Sequence, residues 1–241
     1  LRPHTMEVAG DWSIPTLDEI LALRAQVSDE RGRPLGVIPE IKHSSLFHAL
    51  GFDPEAALLS SLARAGLQDA GPLVRIESFE WSNLLRLRNE LGYDGVLVFL
   101  AEDSGRPLDL ALTGDPRTYA DLLTPSSLGE LALVVDAIGP SKHLVIGRTP
   151  DDTLAAPTSL VADCHEAGLE VTPWTFRAEN HFLPAEFRSS PDPAAVGDYA
   201  GELRAYFDAG VDAVFCDQPD LAVEARDAYL IGTSAGPVSP P

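Results

Sequence analysis

A short apolar run followed by an amphipathic helix and a glycine recurs along this chain, and that repetition restricts its fold more than any other feature. Residues 95–100 form an uninterrupted apolar run of the kind found in parallel strands buried on both faces, and Gly66 and Gly92 end helical patterns upstream of it. About six such strand–helix units follow one another with short links. The pattern predicts parallel strands joined by crossover helices, which defines the α/β class.

Two α/β architectures fit this repetition, a doubly wound sheet and a TIM-type (β/α)8 barrel, and both place functional residues at the carboxyl ends of the strands. The first strand is not followed by the glycine pattern of a dinucleotide site or of a phosphate-binding loop, which disfavours a nucleotide fold. A chain of 241 residues with 45% hydrophobic content is long enough for one barrel domain. We predict one α/β domain over residues 16–231, after a loop over 1–15 and before a disordered tail over 232–241.

The chain is strongly acidic, with a formal net charge of −20 at pH 7. Such a field repels phosphate polymers, so neither nucleic acid nor an anionic membrane surface is an expected partner. No apolar run approaches the length of about 18 residues that a transmembrane segment requires. Cys164 and Cys216 lack the close spacing of a zinc site or a redox motif and are expected to be small buried residues.

The first predicted strand, residues 36–42, ends in two ionisable residues that share one face. Glu40 and Lys42 are two positions apart, and side chains at that spacing project from the same side of a strand. A carboxylate and an ammonium group that project together from the end of an otherwise apolar strand indicate a site. The alternative is that both are merely solvated where the strand leaves the sheet.

Polar or aromatic residues also end later strands. Glu77 ends the second strand, Trp174 lies at the end of the strand near residue 170, and Asp217 ends the last one. In a barrel these side chains converge on one mouth with those of the first strand. The carboxylates suit a hard divalent ion, and Lys42 or Arg177 suits a phosphate or a carboxylate.

Several short motifs, in their order along the chain, are those of one enzyme family. They are Ile38-Pro-Glu-Ile-Lys42 with His43, Ile76-Glu-Ser-Phe79, Tyr119-Ala-Asp-Leu-Leu-Thr-Pro125, Ala137-Ile-Gly-Pro140, Val171-Thr-Pro-Trp-Thr-Phe-Arg-Ala-Glu-Asn180 with Phe182-Leu-Pro184, and Phe215-Cys-Asp-Gln-Pro-Asp220. Together they resemble the glycerophosphodiester phosphodiesterases, in particular the bacterial periplasmic or secreted branch. The resemblance runs from Ile14 to Tyr229.

This resemblance implies a TIM-type barrel that uses a divalent metal ion, Ca²⁺ or Mg²⁺, and two histidines to cleave glycerophosphodiesters into glycerol 3-phosphate and an alcohol. It makes Glu40 a metal ligand, Lys42 a residue near the substrate phosphate and Trp174 an aromatic wall for the glycerol. Glu77, which stands where the family usually has glutamine, and Arg177 complete the expected set of substrate-binding residues.

The chain departs from the family pattern in its first part. It contains neither the His-Arg-Gly motif of the family's first strand nor the Glu-x-Asp motif of the second, and the second catalytic histidine is likewise missing. We therefore assign no catalytic residue and interpret the chain as strands three to eight of an N-terminally incomplete barrel that is inactive alone. An alternative is a non-catalytic barrel remnant that binds a phosphate-bearing small ligand or a partner. The family branch predicts a periplasmic or secreted location.

Overall fold

The computed structural model describes residues 1–2 and 13–234 of the chain. Most of the predicted N-terminal loop, and the predicted disordered tail from residue 235 onward, lie outside the described residues. The chain forms two compact units. Among the described residues, the N-terminal unit contains residues 13–139 and 166–169, and the C-terminal unit contains residues 1–2, 140–165 and 170–234.

The N-terminal unit consists of helices that alternate with short parallel strands. Its elements are α1 (Leu17–Arg31), α2 (Ser44–Ala49), α3 (Pro54–Arg64), β1 (Arg75–Ser78), α4 (Trp81–Asn89), β2 (Val96–Ala101), α5 (Leu108–Thr113), α6 (Tyr119–Leu122), α7 (Pro125–Leu131) and β3 (Ala137–Pro140). The strands lie in the order β1–β2–β3, and β1 pairs with β2 in parallel, from Arg75 opposite Val96 to Ser78 opposite Phe99. The parallel strands that the sequence predicted are therefore present in this unit.

Thr16 and Glu19 are three places apart before an apolar pattern, a spacing that predicts a capping-box helix running to about Val27, and helix α1 does begin at this capping box. The backbone N–H of Thr16 donates to Glu19 Oε2 at 2.7 Å, and the N–H of Glu19 donates back to Thr16 Oγ1 at 3.3 Å. This exchange satisfies two of the backbone donors that every helix start leaves without an intrahelical partner. The helix ends at Arg31, later than the predicted end near Val27, where Gly32 takes the left-handed conformation with φ 62°.

Residues 36–42 pair with β1 as the sequence predicted, but they do not form a continuous strand. The N–H of Val37 donates to the Leu73 carbonyl at 2.7 Å, and the N–H of Ile41 donates to the Glu77 carbonyl at 2.9 Å. Between them, Pro39 accepts a bond from the N–H of Glu77 through its carbonyl but has no N–H to donate. The ladder is interrupted at the proline, while the segment keeps its place at the edge of β1.

The C-terminal unit also combines helices with short extended segments. Its elements are α8 (Lys142–Val145), β4 (Ile146–Arg148), β5 (Leu154–Pro157), α9 (Leu160–Glu166), β6 (Glu170–Val171), α10 (Tyr199–Asp208) and α11 (Pro219–Ser234). Strands β4 and β5 pair antiparallel. The segment that follows β6 forms parallel bridges on both sides, with Trp174 opposite Ser141 and Phe176 opposite Cys216. Its register is thus fixed from two directions.

Tyr206 of α10 fixes the segment around α8 in the core of the C-terminal unit. The Tyr206 ring is fully buried and meets the Phe176 ring edge to face, with the centroids 4.7 Å apart. Its hydroxyl group lies 3.1 Å from the carbonyl oxygens of Lys142 and Ile146. Both ends of the short α8 turn are therefore tied to a buried side chain of a distant helix.

Several elements differ from the sequence prediction. The polar, aromatic-containing sequence of residues 43–53 predicts a loop, but helix α2 lies there. Residues 211–216 read as the last strand but form only an isolated bridge, and the β4–β5 hairpin was not predicted as a pair. Long-range contacts hold such short elements: the N–H of Ser45 in α2 donates to Glu80 Oε2 at 2.9 Å. Local periodicity does not contain that information, because the partner is 35 residues away.

Both cysteines are free thiols. Cys164 is buried, as predicted, and Cys216 is only partly buried. Within residues 13–234, no helix combines the length and the apolar character needed to cross a bilayer.

Candidate functional site

Two glutamates lie side by side at the strand ends of the N-terminal unit. Glu40 and Glu77 are direct neighbours across a parallel bridge, so their side chains emerge at the same edge of the sheet. Glu77 is 8% exposed, and Glu40 is more accessible. We call Glu40 and Glu77 the carboxylate pair.

The Glu77 carboxyl group has an unusual environment. Its Oε2 atom is buried and has no hydrogen-bond partner among the described residues. Burial, and then the negative charge of Glu40, raise the pKa of Glu77 to about 7, while the positive charges of Lys42 and Arg75 oppose the rise. A buried carboxylate oxygen without a partner, next to a second carboxylate, favours a cation nearby.

Lys42 supplies one such cation. Its ammonium group forms an ion pair with Glu40 and lies 5.7 Å from the centroid of the Phe79 ring. The Lys42 side chain is nevertheless 63% exposed, so it can exchange its carboxylate partner for an anionic ligand at little cost. Burial and the charge of Asp103 raise the pKa of Glu102, and the positive charge of Lys42 opposes this rise.

A divalent metal ion fits the carboxylate pair by the chemistry of its donors. Ca²⁺ and Mg²⁺ prefer carboxylate oxygens, and Glu77 Oε2 is an oxygen that lacks any other partner within the described part of the chain. Glu102 follows directly on the last residue of β2 and adds a third carboxylate at the next strand end. The residue that the sequence predicted as a metal ligand, Glu40, is therefore placed among acidic neighbours.

A second acidic group in the same unit does not fit a metal ion. His48, Asp53 and Glu55 bring one ligand atom each within 4.8 Å of one another. Arg86, however, donates to Asp53 at 2.7 and 2.8 Å and to Glu55 at 2.8 Å, so one guanidinium group already binds both carboxylates and offsets part of their charge. The Glu55 carboxylate also forms hydrogen bonds with Ser44, Asn83 and His48. This cluster ties α2, α3 and α4 together.

Trp174 and Arg177 line one cavity of the C-terminal unit. The cavity has a volume of about 470 Å³, and its walls are Ser141, Lys142, His143, Arg148, Asp152, Trp174, Thr175, Arg177, His181, Phe182, Leu183 and Arg188. We call it the basic cavity. Arg177 Nε donates to Asp217 Oδ2 at 2.8 Å, and its guanidinium carbon lies 4.8 Å from the centroid of the Phe182 ring. Asp217, predicted as a strand-end acid, thus serves as an arginine partner.

The sequence prediction selected some of these residues and missed others. Glu40, Lys42 and Glu77 form one cluster in the N-terminal unit, and Trp174 and Arg177 share the basic cavity of the C-terminal unit. The missed residues of the cavity are its other cations, Lys142, Arg148 and Arg188. They stand in different loops and short elements and match no spacing rule, so no local pattern indicates them.

The family model and the curated relatives that match this chain point to the same enzyme family. The family model described as the glycerophosphoryl diester phosphodiesterase family matches residues 1–221. A glycerophosphodiester phosphodiesterase of Arabidopsis thaliana is 29% identical over 195 residues, which cover 76% of this chain and 49% of the relative. A glycerophosphodiester phosphodiesterase of Haemophilus influenzae is 24% identical over 233 residues, which cover 88% of this chain and 58% of the relative. The chain thus spans about half the length of these curated relatives.

A solved structure from Silicibacter pomeroyi, assigned as a glycerophosphoryl diester phosphodiesterase, has a similar fold. The TM-score is 0.56 with 22% sequence identity, and the match covers 91% of this chain and 57% of the other. At this identity the likeness concerns the fold alone. It confirms the predicted fold class, an α/β fold of the TIM-barrel kind.

Proposed function

Because the chain belongs to the glycerophosphoryl diester phosphodiesterase family, we propose that the protein hydrolyses glycerophosphodiesters to glycerol 3-phosphate and an alcohol. The observation that carries this proposal is the carboxylate pair beside Lys42, at adjoining strand ends of a chain that matches the family model from residue 1 to residue 221. In that arrangement the two carboxylates can hold a divalent ion. The ion and the exposed ammonium group of Lys42 can then offset the negative charge of a phosphodiester.

Each of the predicted residues has a role in this proposal that its surroundings support. Glu40, with Glu77 beside it, would hold a divalent ion, and the bound ion would neutralise charge on the phosphoryl oxygens. Lys42 would leave its ion pair with Glu40 to bind a phosphoryl oxygen. Trp174 and Arg177 would contact the organic and anionic parts of a ligand in the basic cavity.

No residue of this chain is proposed as the general acid or base. The His-Arg-Gly motif is not found in the 241 residues, and none of the six histidines stands in a corresponding motif. That this chain is inactive alone stays a prediction. Release of glycerol 3-phosphate from glycerophosphocholine by the purified 241-residue chain would contradict it.

The proposed activity is tested with the natural protein that carries these residues. We expect release of glycerol 3-phosphate from glycerophosphocholine in the presence of Mg²⁺ or Ca²⁺, and we expect the variant Glu40→Gln to lose at least about a hundredfold in kcat/KM, or about 2.7 kcal/mol. Glu130→Gln is the matched control, because Glu130 is an exposed glutamate of α7 whose side chain forms no hydrogen bond with another described residue. Equal rates for wild type and Glu40→Gln would overturn the assignment of Glu40.

The non-catalytic alternative is favoured by one observation, the basic cavity, which suits a phosphate-bearing ligand whether or not hydrolysis occurs. It predicts that the natural protein binds glycerol 3-phosphate and releases none from any glycerophosphodiester. We also propose the location that the family branch suggests, periplasmic or secreted, and cell fractionation with an antibody against the chain tests it.

A further inference from the structure

Helix α2 and the turn after it expose a group of large apolar side chains. Leu46, Phe47, Leu50 and Phe52 lie within seven residues, and each is between 42% and 63% exposed. Leu46 and Leu50 have the spacing that places side chains on one helix face, and the rings of Phe47 and Phe52 meet edge to face with their centroids 6.4 Å apart. We call these four residues the apolar corner. Single exposed apolar residues are ordinary, whereas a group of them indicates a contact surface.

The backbone of the apolar corner is fixed even though its side chains are exposed. The N–H of Phe52 donates to the Phe47 carbonyl at 3.0 Å, and Gly51 between them takes φ 85°, so the turn after α2 is closed. At the other end, the N–H of Ser45 donates to Glu80 Oε2 at 2.9 Å. The exposure is therefore a property of the folded backbone, and a partner binds without the entropy cost of ordering a loop.

The stretch that contains the apolar corner has no acidic residue. The chain has 37 acidic residues among 241, yet none lies from 41 to 52. The ionisable residues of this stretch are Lys42, His43 and His48, all of which are cationic or neutral. The negative charge that covers the rest of the sequence is thus interrupted here.

The acids that contact α2 from neighbouring elements are buried or paired. Helix α2 packs against α3 and α4. Glu55 of α3 is fully buried and bonds to His48 at 2.7 Å, and Glu80, which precedes α4, is 1% exposed. Asp53, which follows the apolar corner, is paired with Arg86 at 2.7 Å. The outward face of the apolar corner is therefore apolar and carries no carboxylate of its own.

The size of the apolar corner favours a lipid surface over a protein partner. Four large side chains that are about half exposed offer about 400 Å². A stable protein interface needs about 800 Å² from each partner. Insertion into the interfacial region of a bilayer has no such minimum, because its strength increases with each apolar side chain buried, and Phe and Leu are typical of the inserted face.

We propose that the apolar corner inserts into the surface of a zwitterionic lipid bilayer. Its four side chains would lie at the boundary between head groups and acyl chains, which removes them from water. The formal net charge of −20 opposes an anionic bilayer, whereas a zwitterionic one has no net charge to repel the protein. Phe47 also lines a cavity of about 650 Å³ together with Glu40 and Lys42, so the bound protein would hold the carboxylate pair next to the lipid.

The first test is sedimentation of the purified 241-residue chain with vesicles at low salt. We expect binding to phosphatidylcholine vesicles, and at least severalfold weaker binding to vesicles of equal parts phosphatidylcholine and phosphatidylglycerol. Leu50→Ser combined with Phe52→Ser should lower the partition coefficient at least tenfold. Leu112→Ser on α5 is the matched control, because Leu112 has the same exposed fraction as Leu50, 62%, and lies in the same unit; it should bind within twofold of wild type.

The second test locates the inserted residues. Phe52→Trp should add fluorescence that brominated phosphatidylcholine quenches, beyond the signal of the three native tryptophans, whereas the added signal of Leu112→Trp should stay unquenched. Circular dichroism establishes that each variant is folded, and if the double serine variant is not, the tryptophan variants decide the question.

Three results would overturn the proposal. Absence of binding to phosphatidylcholine, or equal losses in the double variant and in Leu112→Ser, would show that the apolar corner does not insert. Tighter binding to the phosphatidylglycerol mixture would contradict the choice of a zwitterionic surface. A dimer in analytical ultracentrifugation that the double variant dissociates, without vesicle binding, would show that a second copy covers the apolar corner instead. None of these results depends on hydrolysis, so the proposed function is tested separately.

Discussion

The ionisation of Glu77 gives the N-terminal unit a definite pH dependence. Burial and the charge of Glu40 raise its pKa from 4.5 to about 7, so the folded state prefers the protonated acid. A group whose pKa is raised on folding contributes stability below its unfolded pKa and loses that contribution as the pH rises through its folded pKa. The free energy of unfolding should therefore decrease between about pH 4.5 and pH 7.

Glu77→Gln should remove this loss of stability. In buffer with a metal chelator at pH 8, we expect the variant to unfold at a higher urea concentration than wild type. The gain in the free energy of unfolding should be about 3.5 kcal/mol at most, since each pKa unit corresponds to about 1.4 kcal/mol. At pH 4 the advantage should vanish, because the wild-type carboxyl is then neutral as well. An advantage of equal size at both pH values would show that packing, not ionisation, is responsible.

Glu40 should control the affinity for divalent ions. We expect calorimetric titration of the chain with Ca²⁺ or Mg²⁺ to detect binding, and we expect Glu40→Gln to weaken it at least tenfold, because a neutral amide removes one of two neighbouring carboxylate charges. Glu130→Gln should bind like wild type. If His48→Ala weakens the binding and Glu40→Gln does not, the ion binds instead at the cluster of His48, Asp53 and Glu55.

At the scale of single elements, Thr16 should stabilise α1 through its capping box. Thr16→Ala removes the oxygen that accepts from the N–H of Glu19, so we expect a loss of about 1 kcal/mol in the free energy of unfolding measured in urea. Ser126→Ala is a suitable control, because Ser126 is exposed on α7 and its hydroxyl group forms no hydrogen bond with another described residue. A loss of equal size in the control would argue against a specific capping effect.

Elements with strong local signals could be predicted from the sequence, and elements held by distant contacts could not. The apolar run that becomes β2 and the capping box of α1 are both local, and both were predicted correctly. Helix α2 was missed because its stability depends on Glu80, a residue outside its own pattern. The same distinction applies to the sites: Glu40 and Lys42 are two residues apart, whereas the cations of the basic cavity come from separate segments.

At the scale of the whole molecule, charge is the dominant feature. The chain has 37 acidic and 17 basic residues, and mutual repulsion of the excess acids destabilises a compact state. Many basic residues are already engaged in ion pairs, such as Arg64 with Asp18 and Arg88 with Asp136. Salt therefore has two opposing effects, because it screens the general repulsion and also weakens each exposed pair.

We expect the first effect to be larger, so that sodium chloride stabilises the protein. Exposed ion pairs contribute only about 0–1 kcal/mol each, whereas the repulsion acts among all the excess acids. Raising the salt from about 0.01 to 0.15 M shortens the screening length from about 30 to about 8 Å, and the melting temperature at pH 8 should rise by a few degrees. At pH 5, closer to the isoelectric point of about 4.4, the rise should be smaller. A melting temperature that falls with salt at pH 8 would show instead that the local ion pairs outweigh the net repulsion.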